Sequence, residues 1–180
     1  RAGVNPKREF FLLWVLGKDL PGAMSIRPVD GEAWPPEADK KDEKGNELRR
    51  RKALRFSLAG VQLKFSAVMD ATGGLTVPAQ GVGGSWIVKL PSQKFEGVPE
   101  NEFAMMTLAS KIGMDVPELK LIALDDIDGL PEGLGELKGP ALAVRRFDRT
   151  QDGPVHIEDF AQVFGVYPDD KYKKASYKNI

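Results

Sequence analysis

The sequence contains no cysteine among its 180 residues. Disulfide bonds, thiolate metal sites and thiol nucleophiles are therefore excluded. The single histidine, His156, has no second His or Cys at metal-ligand spacing. His156 stands at the head of a predicted short helix over residues 156–164. A surface or helix-capping role is more typical of such a histidine than a metal or general-base role.

An excess of one charge and long apolar runs are also absent. Lys plus Arg and Asp plus Glu each number 26, so the formal net charge is zero. This balance gives no electrostatic reason to expect nucleic acid or membrane as the main partner. The longest apolar run, residues 10–16, is far too short to cross a bilayer, and we find no signal-peptide pattern. We therefore expect a cytoplasmic protein.

The ends of the sequence predict that it is part of a longer chain. It begins with Arg1, not Met, and ends abruptly at Ile180. We expect further residues on both sides in the natural protein. The composition, 42% hydrophobic and 29% charged, is that of a soluble globular protein with one domain or two small ones.

The first third of the sequence predicts a helix, a short strand and a charged linker. Residues 6–16 read as an amphipathic helix that Pro6 begins and Gly17 ends, and residues 23–29 as a short strand. Residues 37–52 are almost entirely charged and cannot bury a face, so residues 33–53 are predicted to be a solvated linker. The linker ends in a basic run at residues 49–52. The alternative to a solvated linker is therefore that this run binds an acidic partner such as nucleic acid.

The pattern after the linker is mainly that of β-strands. Strands are predicted over residues 61–69, 75–78, 85–90, 119–124 and 141–147, with a hairpin turn at Gly73-Gly74. One helix begins near Pro99 and ends at Gly113. Its apolar residues recur at i, i+3, i+4 and i+7, which predicts that they pack on the core: Met105, Leu108, Ala109 and Ile112.

The order of these elements is that of a kinase N-terminal lobe, which needs a loop over the phosphates, a lysine on a strand and an acid on the next helix. Small residues in the loop would let backbone N–H groups approach phosphate oxygens: Ser57, Ala59 and Gly60. The segment is neither a Walker A sequence nor a G-x-G-x-x-G motif. An ordinary tight connection between strands is the alternative.

Lys89 and Glu102 are the candidates for the lysine and the acid. Lys89 is a lone charge inside an apolar strand, and Glu102 borders the predicted packing face of the helix. The alternative for Lys89 is a side chain that extends to solvent. The alternative for Glu102 is a carboxylate that only interacts favourably with the helix dipole. Asp125, Asp126 and Asp128 lack the spacing of a calcium loop, so we expect a solvated turn.

Five ordered segments resemble the HipA family of bacterial serine/threonine kinase toxins. They are SLAGVQLKFS (57–66), IVKLP (87–91), NEF with the following M-x-x-LA (101–109), GMDVP (113–117) and ALAVRRFDR (141–149). Residues 1–30 resemble only the last part of the family's N-terminal sub-domain. The resemblance implies an α+β fold with a kinase-like N-lobe, divided into a sub-domain remnant (1–32), the linker (33–53) and the N-lobe through the hinge to the start of the C-lobe (54–180).

The resemblance also implies site residues and cofactors. Ser57 matches the serine that becomes autophosphorylated, and Lys64 and Lys89 match lysines that hold ATP. Arg145 and Phe147 match the hinge, whose backbone would pair with adenine. Asp148 is expected near the ribose and Gln162 near the nucleotide. ATP and Mg²⁺ are the implied cofactors.

Other parts of the family pattern are absent from the sequence. The catalytic Asp, the metal-binding Asn and the second, magnesium-binding Asp have no counterpart in these 180 residues. We therefore expect this chain alone to be inactive, with no catalytic residue of its own. We also expect an apolar surface near the hinge and the last helix, where a C-lobe would pack, and hence self-association.

The resemblance implies that the parent is an ATP-dependent kinase toxin of a toxin–antitoxin system. Its implied partners are a DNA-binding antitoxin of HipB type and a protein substrate such as an aminoacyl-tRNA synthetase. DNA would be reached only through the antitoxin. The alternative is a non-catalytic module that binds an antitoxin or a missing C-lobe.

Overall fold

The computed structural model describes residues 9–29, 31, 62–78, 83–131, 134–167, 170–174, 176 and 178. Three predictions fall outside the described residues. These are the charged linker at 33–53, its basic end at 49–52, and the small residues of the predicted phosphate loop, Ser57, Ala59 and Gly60.

The described residues form helices and mostly short strands, with the strands grouped along the chain. In order, they are α1 (Glu9–Leu16), β1 (Lys64–Met69), β2 (Leu75–Thr76), β3 (Trp86–Lys89), α2 (Val98–Lys111), β4 (Leu119–Ile122), a 3-10 turn (Leu124–Asp126), β5 (Ile127–Asp128), β6 (Ala141–Arg145), β7 (Arg149–Thr150), β8 (Gly153–Pro154), α3 (Phe160–Val163) and α4 (Lys171–Lys174). No helix in the described ranges has the length and apolar character needed to cross a membrane.

Among the described residues, the main sheet has six strands in the order β4-β6-β3-β1-β2-β5. β3 lies between β1 and β6 and pairs antiparallel with both, while β2 and β5 pair in parallel. β7 and β8 form a separate antiparallel hairpin. The sheet is mostly antiparallel, and the long helix α2 packs against β4 and β6. This arrangement confirms the predicted α+β class.

The predicted hairpin turn between β1 and β2 is present. Gly73 has a φ of +95°, which favours glycine, and Asp70 N donates to Gly74 O at 2.9 Å. The Asp70 carboxylate accepts hydrogen bonds from the Thr72 hydroxyl and from the backbone N–H groups of Thr72 and Gly74. The bond from the Thr72 hydroxyl is the main reason why the pKa of Asp70 is lowered. The turn is therefore closed by its own side chain.

The three aspartates after β4 are solvated as predicted, although Asp128 lies in strand β5 and not in a turn. Asp125, Asp126 and Asp128 are all exposed. Across the described part of the chain, no group of three or more His, Cys, Asp or Glu side chains could hold a metal ion.

The hydrophobic core lies on one face of the sheet. Phe65 pairs with Val88 and Val88 with Ala143, so these side chains share a face, and each is fully buried. Leucines of the connection between β4 and β6 pack against them: Leu124, Leu130, Leu134 and Leu137. The opposite face carries Lys64, Lys89 and Leu142 at one register position. The core face and the face with the two lysines are therefore separate surfaces.

Helix α2 begins and ends as the sequence predicts. Pro99 lies in its first turn. At the other end Gly113, with a φ of +91°, donates to Ser110 O at 3.0 Å, and Met114 N donates to Ala109 O at 3.1 Å. This pair of bonds is a Schellman motif, which satisfies two of the last carbonyl groups of the helix.

The prediction that the apolar stripe of α2 packs on the core is wrong for three of its four residues. Met105, Leu108 and Ile112 are 55%, 51% and 68% exposed, while Ala109 is half-buried. Glu102 and Met106 are also half-buried, and α2 contacts β4 and β6. At 100° per residue, the centre of the predicted stripe lies roughly a quarter turn away from Glu102 and Met106. Periodicity identified an apolar stripe but not the side of the helix that faces the sheet.

Two further local predictions are corrected. Residues 23–29 form no strand, and Ile26 N donates to Gly17 O at 2.7 Å as an isolated contact. The last predicted helix begins at Phe160, not at residue 156, because Asp159 forms a capping box with Gln162. His156 is exposed and three residues before the cap, so its capping role is wrong and its surface role is confirmed.

An exposed apolar surface lies near the end of β6 and helix α3, as predicted. Phe147, Phe160, Phe164 and Tyr167 are between 50% and 82% exposed, and the rings of Phe160 and Phe164 stack at 6.2 Å. Because large exposed apolar patches promote association, we expect the chain to self-associate at high concentration. Size-exclusion chromatography with light scattering should show a mass above that of one chain. The double variant Phe160→Ser, Phe164→Ser should have a lower mass. A monodisperse monomer of the unchanged chain at high concentration would contradict this.

Candidate functional site

An ion pair joins the central strand of the sheet to helix α2. Lys89 is the last residue of β3, and its Nζ donates to Glu102 Oε1. Strands on both sides of β3 fix the position of Lys89, and the turn at Gly97 and Pro99 fixes the start of the helix that carries Glu102. The side chains are 22% and 29% exposed, so the pair lies at the rim of the interior and can still meet a ligand. The contact predicted between these residues is present.

A second lysine lies beside this pair. Lys64 in β1 is directly opposite Lys89 in β3, so both side chains project from the same face of the sheet. Lys64 is only 8% exposed. Two cations at directly opposite positions repel each other, and such a face is stabilised by anionic groups. Glu102 supplies one.

The predicted hinge residues follow at the end of β6. Arg145 pairs with Trp86 of β3 and forms an ion pair with Glu118 at 3.6 Å. Phe147 is 69% exposed. Among the described residues, its backbone N–H and carbonyl groups have no hydrogen-bond partner. Phe147 is thus the exposed residue at the end of the predicted hinge.

Four charged side chains form a buried ion cluster around the hinge. The cluster consists of Asp19, Arg146, Asp148 and Arg149, and the first three are 2–4% exposed. Arg146 donates two parallel hydrogen bonds to Asp148, from Nε to Oδ1 at 2.9 Å and from Nη2 to Oδ2 at 2.8 Å. Its Nη1 donates to Asp19 Oδ1 at 3.2 Å. A bidentate arginine–carboxylate pair of this kind fixes geometry as well as charge.

Asp148 is held by several neighbours. Besides the two bonds from Arg146, its Oδ2 accepts from Arg149 Nη1 at 2.7 Å and from Gly22 N at 2.8 Å. Oδ2 therefore accepts three hydrogen bonds and Oδ1 accepts one, from Arg146 Nε. These contacts give the buried carboxylate a structural role, and its expected place near a ribose stays a prediction.

Gln162 is also used locally. Its amide oxygen accepts from Asp159 N at 2.8 Å, which closes the capping box of α3. The side chain lines an open cleft together with Leu20, Met24 and His156. In the described part of the chain, no hydrogen bond joins Gln162 to Lys89 or Glu102.

The ion cluster makes folding sensitive to acid. Burial alone would raise the pKa of Asp148, but the hydrogen bonds from Arg146 and Gly22 N and the two guanidinium charges outweigh it and hold the pKa below its ordinary value. Since the folded pKa lies below the unfolded one, this stabilisation is complete above about pH 4 and is lost as the pH falls through the folded value.

We therefore expect the urea midpoint of the chain to fall steeply below about pH 4. Asp148→Asn, which cannot titrate, should show a lower midpoint at pH 7 and a shallower fall on acidification. The fall that remains in this variant reports the contribution of the other described carboxylates whose pKa is lowered, Asp70 and Asp159. Parallel pH profiles for the two proteins would show that Asp148 does not carry the effect.

Sequence reasoning missed three members of the ion cluster: Asp19, Arg146 and Arg149. Asp19 lies 127 residues before Arg146 in the chain, and no local pattern links them. The one local signal was the Arg-Phe-Asp-Arg sequence at the end of a predicted strand, where charges of both signs alternate around one aromatic residue.

The chain matches a known protein family and several named proteins. The family model of the HipA-like C-terminal domain matches residues 56–180. A Sinorhizobium fredii protein named "Putative kinase Y4dM" is 64% identical over 100% of this chain and 44% of its own length. A second protein of that organism, "Putative kinase Y4mE", is 34% identical over 94% of this chain and 43% of its own length.

A solved structure resembles the chain over nearly all of its length. It is the toxin–antitoxin complex of HipA, HipB and operator DNA from Shewanella oneidensis, matched with a TM-score of 0.58 and 23% identity over 98% of this chain and 42% of that one. At this identity the likeness shows the fold alone, and it confirms the predicted kinase-like lobe. The chain spans less than half of the length of each of these proteins. The sequence match and the fold together show that the chain belongs to the HipA-like C-terminal domain family.

Proposed function

We propose that this chain is the ATP-binding part of a HipA-like serine/threonine protein kinase. The observation that carries the proposal is the ion pair between Lys89 on the central strand and Glu102 on the following helix. In protein kinases a strand lysine contacts the phosphates and a helix glutamate holds it in place. The two residue types, their elements and their contact all agree with that arrangement.

Each end of a bound ATP has a candidate contact. Lys89, with Lys64 beside it, supplies positive charge for the phosphates, and an ammonium group suits phosphate as a point charge. The exposed backbone of Phe147, at the end of the hinge that begins with Arg145, supplies a donor and an acceptor for the adenine edge. We assign backbone contacts with the phosphates to the loop that contains Ser57, Ala59 and Gly60, with Ser57 as the site of autophosphorylation.

Among the described residues, no group of three or more His, Cys, Asp or Glu side chains could hold a metal ion. Mg²⁺ at such sites is usually bound through one or two carboxylates together with the substrate phosphates. We assign this part of the chain the binding of ATP, with the magnesium brought by the nucleotide.

The activity and partners of the whole protein extend the proposal. We propose that it transfers a phosphoryl group to a protein of the translation machinery such as an aminoacyl-tRNA synthetase. Since the Shewanella HipA was solved with HipB and operator DNA, an antitoxin of HipB type is the proposed partner. DNA would be bound by that antitoxin and not by this chain.

A non-catalytic binding module is the second candidate. The exposed aromatic surface of Phe147, Phe160 and Phe164 favours it, because such a surface suits a protein partner. The ion pair of Lys89 and Glu102 distinguishes the two candidates, since a binding module has no need of it.

A thermal-shift titration with Mg-ATP tests the proposal. Ligand that binds only the folded state stabilises it by about 2.7 kcal/mol at a hundredfold excess over Kd. We expect a rise in melting temperature with ATP and a smaller one with AMP, which lacks the β- and γ-phosphates. No shift with any adenine nucleotide would contradict nucleotide binding and leave the binding module as the better account.

A further inference from the structure

An N-terminal segment, residues 19–24, is docked onto the hinge through Arg149. The Nη1 of Arg149 donates to Gly22 O at 2.9 Å. Its Nη2 donates to Leu20 O at 2.9 Å and to Asp19 Oδ1 at 3.1 Å. One guanidinium group therefore contacts three residues of a segment about 130 residues away in the chain.

The docked segment fits closely on its other side. Gly22 has a φ of +77°, and a Cβ added there would lie 3.0 Å from Ile157 N and 3.2 Å from Ile157 Cγ1. Gly22 N also donates to the buried carboxylate of Asp148. The segment is therefore held between the hinge and the chain that follows β8, and a larger residue at position 22 would push them apart.

The same contacts surround Phe147 in the sequence. Arg146 is fixed by Asp148, by Asp19 and by its own N–H bond to Ser85 O at 2.8 Å. Asp148 and Arg149 are fixed by the docked segment. Phe147 alone in this run is exposed. Buried ion pairs therefore hold Arg146 and Asp148, the residues on either side of Phe147. These contacts restrict the direction of the Phe147 backbone groups.

Asp19 is an unusual member of the ion cluster. Its Oδ1 accepts from both arginines, while its Oδ2 is buried without a hydrogen-bond partner among the residues that the structure describes. Asparagine at this position has the same shape and keeps the Oδ1 acceptor. Asp19→Asn therefore removes the charge with little change in packing.

We propose that Asp19 and Arg149 are positioning residues, which hold the Phe147 backbone in the direction needed to bind the adenine base. The inference rests on the proposed ATP-binding function. It assigns the N-terminal segment a part in the base end of that site, separate from the phosphate end at Lys89. Asp19 and Arg149 act through the hinge and do not touch the nucleotide.

The test compares two ligands on the 180-residue chain. Affinities for ATP and for adenosine are measured by competition with a fluorescent ATP analogue, for the unchanged chain, Asp19→Asn, Arg149→Lys and Lys89→Ala. Arg149→Lys keeps the positive charge beside Asp148 and loses the fork that reaches the segment. Lys173→Ala, which breaks an exposed pair with Asp170, is the control for loss of any ion pair. Circular dichroism confirms that each variant is folded.

We expect Asp19→Asn and Arg149→Lys to weaken ATP and adenosine by the same factor, about tenfold or more, within the roughly 5- to 150-fold range of couplings between sites. Lys89→Ala should weaken ATP and leave adenosine unchanged. A folded variant with unchanged adenosine affinity overturns the positioning role and leaves ATP binding in place. If the unchanged chain binds neither ligand, the proposed function fails and the positioning role fails with it.

Discussion

Lys89→Ala is expected to weaken the binding of ATP by about tenfold to a hundredfold, since a hydrogen bond to a charged group contributes roughly 1.5–3 kcal/mol. Lys89 lies on the central strand with Glu102 as its partner, and its ammonium group remains partly exposed. Removing it leaves the phosphates without that charge and leaves Glu102 to repel them. Isothermal titration calorimetry with Mg-ATP measures the change.

The sheet offers a matched control for Lys89. Lys120 on β4 projects from the opposite face, where its Nζ lies 5.2 Å from the centre of the Trp86 ring. Lys120→Ala also removes one lysine from the sheet but should leave ATP affinity unchanged. Glu102→Gln, which keeps the side-chain shape and removes the charge that holds Lys89, should fall between the unchanged chain and Lys89→Ala. Equal losses in the two lysine variants would show that the effect is general and not local to the site.

Arg146→Met is expected to lower the free energy of unfolding by about 3–5 kcal/mol, the cost of breaking a buried ion pair by removing one partner. The Arg146 side chain is 1% exposed, and its loss leaves Asp19 and Asp148 with fewer donors in the interior. Methionine fills much of the same volume, so the loss of charge and hydrogen bonds dominates. Urea unfolding followed by circular dichroism gives the free energy.

Arg145 provides the comparison for Arg146. The two arginines are adjacent, but the Arg145 side chain is 53% exposed and pairs with Glu118 at 3.6 Å. An exposed pair of this kind contributes about 0–1 kcal/mol, so Arg145→Met should have a small effect. If the two variants lose the same free energy, the buried ion cluster is not a major source of stability.

Local patterns predicted the strands β1 to β4 and β6 and the helix α2. The strands around Phe65 and Val88 follow from apolar runs between turn residues, and the end of α2 follows from Gly113. The contact between Lys89 and Glu102 could also be predicted, because a lone lysine in an apolar strand needs a partner and the next helix begins with acids. These features depend on residues close together in the chain.

Features that depend on distant residues could not be predicted. The rotation of α2 about its axis depends on how the helix packs on β4 and β6, and the stripe of Met105 and Leu108 is exposed. The ion cluster depends on Asp19 meeting Arg146 and Arg149 across almost the whole described chain. Nothing local shows that the Asp148 carboxylate accepts hydrogen bonds from Arg146, Arg149 and Gly22 N.

The central claim is that the face formed by β3, α2 and the end of β6 binds ATP. The most direct test is to follow backbone amide chemical shifts of the ¹⁵N-labelled chain by NMR during a titration with Mg-ATP. We predict saturable changes concentrated at Lys64, Lys89, Glu102 and Phe147, with little change at the turn of Asp70 to Gly74. Changes concentrated at that turn, or no changes at millimolar ATP, would contradict the claim.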